Sequence, residues 1–287
     1  CKTYADKGLI RLFGNFSDTG RAGRPPSSNY GFRVSRGEFI ISIDADTSYD
    51  FDIIEHMIGP FYDPEVGVVA GNLKARNIGA SIWADFQSIE YMISIGVWKR
   101  WTTVLNTTMQ ASGAFGAFRR ETLLDFGGWD PELAEDADLS LKARKCGWSI
   151  VFAPKAIAMT NVPEDLWTLI KQRIRWDKGA VRTYFHKHAD IMKFWQFKFA
   201  NFFELVQEFI LSYVLTFIYP VYLVYMLYYD YRLLIFSYCV AYLLYVFMTF
   251  STFMIALSFS ERKDEEKGLL WYTPFIPLYK EISDGSG

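Results

Sequence analysis

The sequence predicts an α/β sandwich followed by helices that enter a membrane. Short β-rich apolar runs alternate with segments of helical apolar spacing before residue 189, which is the pattern of an α/β fold. Two long runs without a charged residue follow, at 209–229 and 233–260. Each is long enough for a membrane-spanning helix, which needs about 20 apolar residues.

The strands are predicted at residues 9–13, 39–43, 66–70 and 148–159. Pro154 marks a bend or an edge in the last of them. The run 39–43, Phe-Ile-Ile-Ser-Ile, is typical of a buried strand and stops at Asp44. Ligands of open α/β sheets bind at the carboxyl ends of strands, so the acids after residue 43 lie where a ligand is expected. Helices are predicted at 81–101, 135–145 and 164–185.

The membrane region is predicted to be a helical hairpin, because only residues 230–232 separate the two apolar runs. Pro220 would kink the first helix without excluding it. Residues 189–208 interleave aromatic residues with lysines, which indicates a helix lying in the membrane interface. Residues 269–282, with Pro274 and Pro277, are too short and broken for a span and suit a further interfacial segment. The alternative is a pair of buried helices in a soluble protein.

Positive charge predicts the orientation of this hairpin, since lysine and arginine collect on the cytoplasmic side. Arg232 alone lies at the hairpin tip. The cations on the opposite side, before and after the hairpin, are Arg173, Arg175, Lys178, Arg182, Lys187, Lys193, Lys198, Arg262, Lys263 and Lys267. The α/β domain is therefore expected in the cytoplasm.

Composition excludes some classes of function. The chain is 51% hydrophobic and 18% aromatic, so a large apolar surface must be hidden. A formal net charge of −2 gives no basic field for nucleic acid. Cys1, Cys146 and Cys239 form no close-spaced pair, which favours a reducing compartment and gives no zinc motif.

Two carboxylates follow the strand at 39–43. Asp44 and Asp46 are hard oxygen ligands that suit a divalent cation, Mg²⁺ or Mn²⁺. The alternative is that they are ordinary loop or capping acids. A calcium-binding EF-hand loop is excluded, because Tyr49 occupies the position where that loop needs glycine.

Two further clusters lie on predicted helices. Glu135 and Asp136 begin a helix after a turn-rich segment, and the helix dipole favours their ionised form, although simple capping would look the same. Gln172, Arg175 and Trp176 are three and four residues apart and share a helix face. An arginine- and tryptophan-rich helix on a membrane surface is the alternative for this cluster.

The order of these clusters resembles the processive family-two glycosyltransferases, the membrane synthases of cellulose, chitin, hyaluronan and poly-N-acetylglucosamine. Asp44-Ala-Asp46, Glu135-Asp136 and Gln172-Arg173-Ile174-Arg175-Trp176 stand in that family's order, and the two apolar runs follow. The likeness covers nearly the whole chain. Its most specific motif is Gln-x-x-Arg-Trp, and the position of the hairpin is most similar to the poly-N-acetylglucosamine and hyaluronan branches. The resemblance implies a GT-A type, Rossmann-like sandwich.

The resemblance also implies roles for single residues. Asp136, with Glu135, is catalytic, and Asp136 is the general base that deprotonates the acceptor hydroxyl. Ala134 stands where the family has threonine, which leaves the usual capping in doubt. The family's donor and diphosphate contacts fall on Asp44, Asp46, Arg24, Arg175, Gln172 and Arg173, with the metal on Asp46 and Asp44. Its acceptor contacts fall on Trp176, Ser112 and Gly113.

The segment from Arg21 to Asn29 resembles a family loop that contacts the donor, with Arg24 in place of its lysine. The prolines at 25 and 26 depart from that loop's pattern. In the resembled family an earlier strand and an acidic uracil-binding motif come before this point. We therefore expect a sandwich that is incomplete at its N-terminus, and residues 1–287 alone are not expected to be active.

The resulting prediction is an inverting glycosyltransferase at the cell membrane. It divides the chain into a cytoplasmic GT-A domain at 1–188, an interfacial helix at 189–208, two transmembrane helices at 209–260 and a cytoplasmic charged loop with an interfacial segment at 261–287. Its partners would be a nucleotide sugar, expected to be a UDP-sugar, a growing polysaccharide that is also extruded, and the bilayer, with room for accessory export proteins. The alternatives are a membrane-anchored enzyme that adds one sugar to a lipid or short glycan, and a non-catalytic membrane scaffold or transport subunit.

Overall fold

The computed structural model describes residues 2–13, 16–17, 20–21, 24–108, 110–111, 113, 115–192 and 214–284. The strands are β1 Phe16–Ser17, β2 Gly20–Arg21, β3 Phe39–Ile43, β4 Ser48–Tyr49, β5 Val66–Ala75, β6 Phe115–Arg119 and β7 Ser149–Thr160. The helices before the apolar region are α1 Lys2–Asp6, α2 Arg24–Val34, α3 Ile53–Ile58, α4 Ile82–Tyr91, α5 Lys99–Val104, α6 Arg120–Phe126, α7 Glu135–Lys145 and α8 Leu166–Val181. The later helices are α9 Leu215–Tyr229, α10 Tyr231–Phe259, α11 Lys263–Glu266 and α12 Ile276–Asp284.

A mixed five-stranded sheet forms the centre of the domain, in the order β3-β6-β5-β7-β4. β5 runs parallel to β7 and antiparallel to β6, and β6 runs antiparallel to β3. Every residue of β5 is buried, as expected for the central strand. In β7 the register jumps from Ala153 to Ile157, so the bend predicted at Pro154 is confirmed. This sheet with its helices confirms the α/β class.

Two strand predictions need correction, and one strand of the sheet's centre was missed. Residues 9–13 form no strand and have no sheet partner among the described residues, and Leu9 and Leu12 are 68% and 51% exposed. β3 is only half-buried, because within the described part of the chain it pairs on one side alone, with β6. β6, with the sequence Phe-Gly-Ala-Phe-Arg, was not predicted, because its apolar and polar residues do not alternate clearly.

The three helices predicted within the α/β domain are present. α7 has the predicted bounds, 135–145. The helix expected at 81–101 consists of α4, a π-helical stretch Met92–Trp98 and α5. The helix expected at 164–185 consists of α8 and a π-helical stretch Arg182–Lys187. Short 3-10 helices lie at Gly59–Tyr62, Ala189–Met192 and Lys267–Phe275.

Three apolar clusters hold the described elements together, and the smallest contains Ala75, Ala84 and Val162. The largest surrounds the sheet and includes Val68, Phe115 and Ile150. The second joins α4, α8, α10 and the C-terminal helices through buried side chains, among them Phe86, Leu169, Phe253 and Tyr279. The end of α10 is also fastened to the sheet by a buried ion pair. Lys74 Nζ lies 3.0 Å from Glu266 Oε1 and 2.7 Å from Ser260 Oγ. The C-terminal segment therefore packs on the α/β domain.

One described helix is long and apolar enough to cross a membrane. This helix is α10, with 29 residues, a mean hydropathy of 2.1 in its most apolar window and 6% of that window buried. Asp230 caps it, since its Oδ1 accepts hydrogen bonds from the N–H groups of Arg232 and Leu233. α9 is a shorter apolar helix that ends at Tyr229, directly before this cap. Residues 193–213 lie outside the described part, so most of the predicted interfacial helix and the start of the first predicted span do too.

Candidate active site

Strand pairing brings two predicted site segments to one edge of the sheet. Ile43, the last residue of β3, pairs with Phe115, the first residue of β6. The chain after β3 therefore emerges beside the chain before β6, which places Asp44 and Gly113 at the same edge. Neither residue could be assigned a neighbour from local sequence, since the two are distant along the chain.

Arg24 connects the acidic residues at this edge. Its guanidinium lies 3.3 Å from Asp44 Oδ1 and 3.4 Å from Glu135 Oε1, and it donates a hydrogen bond to the Gly113 carbonyl. Arg24 is the first residue of α2, and Pro25 and Pro26 fit the first turn because a proline there removes no intrahelical bond. The donor-binding loop expected over this segment is thus a helix from Arg24 onward.

Asp136 is held in a defined orientation. Its Oδ2 accepts a hydrogen bond of 3.0 Å from the Gly113 N–H, and its Oδ1 accepts one of 2.9 Å from the Ala137 N–H. Gly113 has to be small, since a Cβ there would lie 3.1 Å from Asp136 Oδ2. A small cavity opens at this point, lined by side chains that include Arg24, Trp129, Glu135 and Asp136. The predicted catalytic pair therefore faces a cavity with a fixed carboxylate.

The helix that carries these acids begins without a side-chain cap. Ala134 is the N-cap residue of α7, and its methyl side chain cannot accept a hydrogen bond from the helix backbone. α8 approaches the same point through Gly179, where a Cβ would lie 2.9 Å from the Ala134 Cβ. A larger residue at position 134 or 179 would separate the two helices. This close approach connects α8, which carries the Gln172–Trp176 motif, to the start of α7.

Burial and like charge shift the titration of the acids at this edge. Burial raises the pKa of Asp44, against the attraction of Arg24, and the neighbouring Asp46 raises it further. Burial also raises the pKa of Glu135, with Asp136 and Asp44 adding repulsion. Each of these carboxylates would be stabilised by additional positive charge. The edge is therefore electrostatically suited to a cation or to a cationic ligand group.

Asp44 and Asp46 are the carboxylates at this edge that could hold a divalent cation. Asp44 and Asp46 interact electrostatically, and the Asp46 side chain is exposed. Among the described residues no group of three histidine, cysteine or acidic side chains converges on one point. Two carboxylates that leave further positions for ligand oxygens are the usual arrangement for Mg²⁺ beside a phosphate. The two carboxylates thus fit a divalent cation that takes its remaining ligands from outside the described residues.

The Gln172–Trp176 motif lies on α8, as predicted. Arg175 is exposed and Trp176 is 39% exposed. Within the described ranges, Gln172, Arg175 and Trp176 make no hydrogen bond or ion pair with the acids near Gly113. The three residues thus lie on one helix, but their side chains do not pair with the acids near Gly113.

Arg173 differs from its prediction. Its guanidinium lies 2.5 Å from Glu90 Oε2 and donates to the hydroxyl of Tyr279 at 3.2 Å. Its side chain is 11% exposed, so it is turned toward α4 and α12. The predicted diphosphate contact of Arg173 does not agree with this geometry. The reason is tertiary, because the partner carboxylate is 83 positions earlier in the chain.

Two residues that sequence reasoning missed hold the loop at Asp44–Asp46. Arg76 donates to the Asp46 carbonyl at 3.2 Å, to Ser48 Oγ at 3.0 Å and to the Met159 carbonyl at 2.7 Å. The Tyr49 hydroxyl donates to the Asp44 carbonyl at 2.9 Å. The position of Arg76 directly after the β5 strand was the available indication, because the carboxyl ends of strands carry ligand sites.

Asn29 and Ser112 belong to the two segments that were predicted to contact the donor and the acceptor. Asn29, expected to contact the donor, exchanges hydrogen bonds of 2.6 and 2.9 Å with the backbone of Trp129. It therefore fastens the segment before α7 to α2. Ser112, a predicted acceptor contact, and residues 22–23 lie outside the described residues.

Comparison with known proteins gives matches over most of the chain. Residues 39–259 match the family model described as Glycosyl transferase family group 2. A poly-beta-1,6-N-acetyl-D-glucosamine synthase of Staphylococcus aureus (strain COL) is 36% identical over 160 residues, which are 55% of this chain and 39% of the relative. The synthase of the same name from Staphylococcus epidermidis is 35% identical over the same length. The match thus spans 39% of the length of these curated relatives.

A solved structure supports the fold. The mannosyltransferase PcManGT from Pyrobaculum calidifontis, in complex with GDP-Man and Mn²⁺, aligns with a TM-score of 0.50 at 21% identity. The alignment covers 66% of this chain and 50% of that chain. At this identity the likeness concerns the fold alone, and that fold agrees with the mixed sheet described above.

Proposed function

The chain belongs to glycosyl transferase family group 2, and from this premise we propose that it transfers a sugar from a nucleotide-sugar donor to a growing polysaccharide. One arrangement carries the proposal. The Asp136 carboxylate is oriented by the Gly113 N–H and lines a cavity with Arg24 and Glu135. A fixed carboxylate beside a basic group suits deprotonation of an acceptor next to an anionic leaving group.

Asp136 is the general base in this proposal. It takes the proton of the acceptor hydroxyl, and the acceptor oxygen forms a bond to the anomeric carbon of the donor sugar. The bond from that carbon to the diphosphate oxygen breaks, and its electron pair leaves with the diphosphate. A single displacement of this kind inverts the anomeric configuration. Glu135 supports the site through its contact with Arg24, at 3.4 Å.

Arg24, Arg175 and Gln172 are the proposed contacts to the departing diphosphate. An arginine suits this role because its planar fork donates two hydrogen bonds to phosphate oxygens. Arg24 now neutralises Asp44 and Glu135, so donor binding would redistribute its contacts. Asp44 and Asp46 would hold a divalent cation, which would neutralise charge on the diphosphate. The solved relative in complex with GDP-Man and Mn²⁺ supports this cofactor class.

Trp176, Ser112 and Gly113 are the proposed acceptor contacts. An exposed aromatic face can hold a sugar ring by apolar contact. The relatives named as poly-beta-1,6-N-acetyl-D-glucosamine synthases support a polymer of N-acetylglucosamine as the product. We therefore propose a UDP-sugar donor of that class and a processive reaction.

The membrane arrangement is part of the same proposal. We place the catalytic domain, residues 1–188, on the cytoplasmic side of the cell membrane, with an interfacial helix at 189–208 and a two-helix hairpin at 209–260. α10 supports one span by its length and exposed apolar surface. Trp271, Phe275, Leu278 and Ile282 are exposed at spacings of three and four, which supports an interfacial role for the C-terminal segment. Extrusion of the polymer would then begin beside the site of synthesis.

The test uses the full-length protein in membranes or nanodiscs. A panel of UDP- and GDP-sugars is supplied with Mg²⁺ or Mn²⁺, and both nucleotide release and product length are measured. Long polymer from one donor is the expected result. Addition of one sugar to a lipid or short glycan would replace the processive proposal. Absence of transfer from every donor would favour a non-catalytic membrane component instead.

A further inference from the structure

Arg173 lies at the centre of a buried polar cluster away from the acidic edge. Its guanidinium contacts Glu90 Oε2 at 2.5 Å and the Tyr279 hydroxyl at 3.2 Å. The Tyr279 hydroxyl also donates to Glu90 Oε2 at 2.8 Å, and Lys280 Nζ donates to Glu90 Oε1 at 2.9 Å. The Glu90 and Arg173 side chains are only 12% and 11% exposed. The cluster thus joins α4, α8 and α12 at one point.

The same guanidinium covers one face of Trp176. The central carbon of Arg173 lies 4.8 Å from the centroid of the Trp176 ring. Trp176 is 39% exposed, so part of its ring remains available to a ligand. An aromatic ring stacked on a guanidinium loses rotational freedom and keeps one orientation. The orientation of Trp176 is therefore tied to the contacts of Arg173.

Electrostatics keep this arrangement charged. Burial acts to raise the pKa of Glu90, but Lys280 and Arg173 outweigh it and lower that pKa. Burial acts to lower the pKa of Arg173, but Glu90 and Tyr279 together more than offset burial, so the Arg173 pKa is raised. A charged, hydrogen-bonded pair with little exposure holds its geometry better than an exposed pair. The support behind Trp176 is thus stiff.

We propose that Glu90, Arg173 and Tyr279 are positioning residues that hold the Trp176 ring ready for the acceptor sugar. The inference rests on the proposed function, in which Trp176 contacts the acceptor. Through Tyr279 and Lys280 it also makes acceptor binding depend on the C-terminal helix α12. Arg173 in this role contacts neither the donor nor the diphosphate.

The test separates acceptor binding from donor binding in the full-length enzyme. The acceptor is a short oligosaccharide of the sugar that the wild-type enzyme polymerises, and its KM is measured beside the KM of the donor. Arg173→Lys keeps a charge for Glu90 and removes the planar face over Trp176. Tyr279→Phe removes only the hydroxyl. Each variant should raise the acceptor KM about 3- to 10-fold, the cost of ordering a free side chain on binding, with donor KM unchanged.

The chain offers a matched control on the same helix. Lys171 Nζ lies 5.3 Å from the centroid of Trp167, whose side chain is 65% exposed. Lys171→Ala removes this second cation–ring pair and should leave both KM values unchanged. A loss of acceptor affinity in this control as well would point to a general effect on α8 and would overturn the inference.

A double-mutant cycle gives the sharper result. Trp176→Ala removes the ring, so Arg173→Lys should have no further effect on acceptor KM in that background. Additive effects would show that Arg173 acts independently of the ring and would overturn the inference. A raised donor KM in Arg173→Lys, with acceptor KM unchanged, would restore the diphosphate contact predicted from the sequence. Failure of the wild-type enzyme to transfer any sugar would instead overturn the proposed function, and this inference with it.

Discussion

The backbone N–H of Gly113 donates a hydrogen bond of 3.0 Å to Oδ2 of Asp136, across 23 positions of the chain. This bond orients the proposed base from the loop that precedes β6. The position of the Asp136 carboxylate on α7 therefore depends on the loop that contains Gly113.

Asp136→Asn should abolish transfer and keep donor binding. The amide preserves the shape of the side chain but cannot accept the acceptor proton, and loss of a general base costs ~100-fold to 10,000-fold in rate. Polymer formation and nucleotide affinity are measured on the full-length protein. Asp125→Asn is the control, since Asp125 is exposed and bonds only Trp148 Nε1 among the contacts described. Near-normal polymer output from the Asp136 variant would contradict the assignment.

Gly113→Ala should lower the transfer rate while the protein stays folded. The added Cβ would lie 3.1 Å from Asp136 Oδ2 and would displace the carboxylate by a fraction of an ångström. Small misplacements of a reacting group can cost up to ~100-fold in rate. Gly31→Ala is the control, because a Cβ there has no neighbour within 4 Å. Equal rates for the two variants would show that the spacing at Gly113 is unimportant.

Asp46→Ala should weaken donor binding in the presence of Mg²⁺ or Mn²⁺. Replacing a residue that only supports a metal ligand lowers metal affinity about 10- to 100-fold. Replacing a ligand itself should therefore lower metal affinity at least ~10-fold. Nucleotide is titrated with and without the cation. Asp52→Ala serves as the comparison, since Asp52 is exposed and pairs with His56. An unchanged metal dependence would assign Asp46 a structural role.

Acid should destabilise the protein through Asp138. Burial opposes ionisation, but hydrogen bonds from His188 and Lys187 outweigh it and lower the Asp138 pKa to about 2. Because the pKa of Asp138 is lower in the folded than in the unfolded protein, its ionised carboxylate stabilises the fold above about pH 4. This stabilisation is lost as the pH falls toward 2. Thermal unfolding in detergent is compared at pH 5 and pH 3. Asp138→Asn should be less stable at pH 5 and show a smaller loss on acidification; parallel losses would contradict this.

Lys74→Met should destabilise the attachment of α10 to the sheet. The Glu266 side chain is 1% exposed, so removal of the Lys74 cation leaves the buried Glu266 carboxylate without this counter-charge. Breaking a buried ion pair on one side costs ~3–5 kcal/mol. Lys267→Met removes an exposed pair with Asp264 and should leave the unfolding temperature unchanged. The double variant Lys74→Met/Glu266→Leu should recover most of the loss, because both charges are then absent.

Local sequence determined several elements and the order of the motifs. The helix at 135–145 and the strand at 39–43 have their predicted bounds, because apolar spacing, turn residues and charge near helix ends act over a few residues. The same locality explains why Asp44 and Asp46 follow a strand end and why Glu135 and Asp136 begin a helix. The family was recognisable from these clusters, since their types and order are properties of the chain.

Tertiary structure alone decided which residues meet. Pairing of β3 with β6 brought Asp44 beside Gly113, and a carboxylate on α4 turned Arg173 away from its predicted diphosphate contact. Arg24 begins a helix rather than a loop, where it neutralises two distant acids. Which partner a charged residue finds depends on the free energy of burial and charge pairing over the whole fold. The residues that contribute to this free energy are too distant in sequence to form a local pattern.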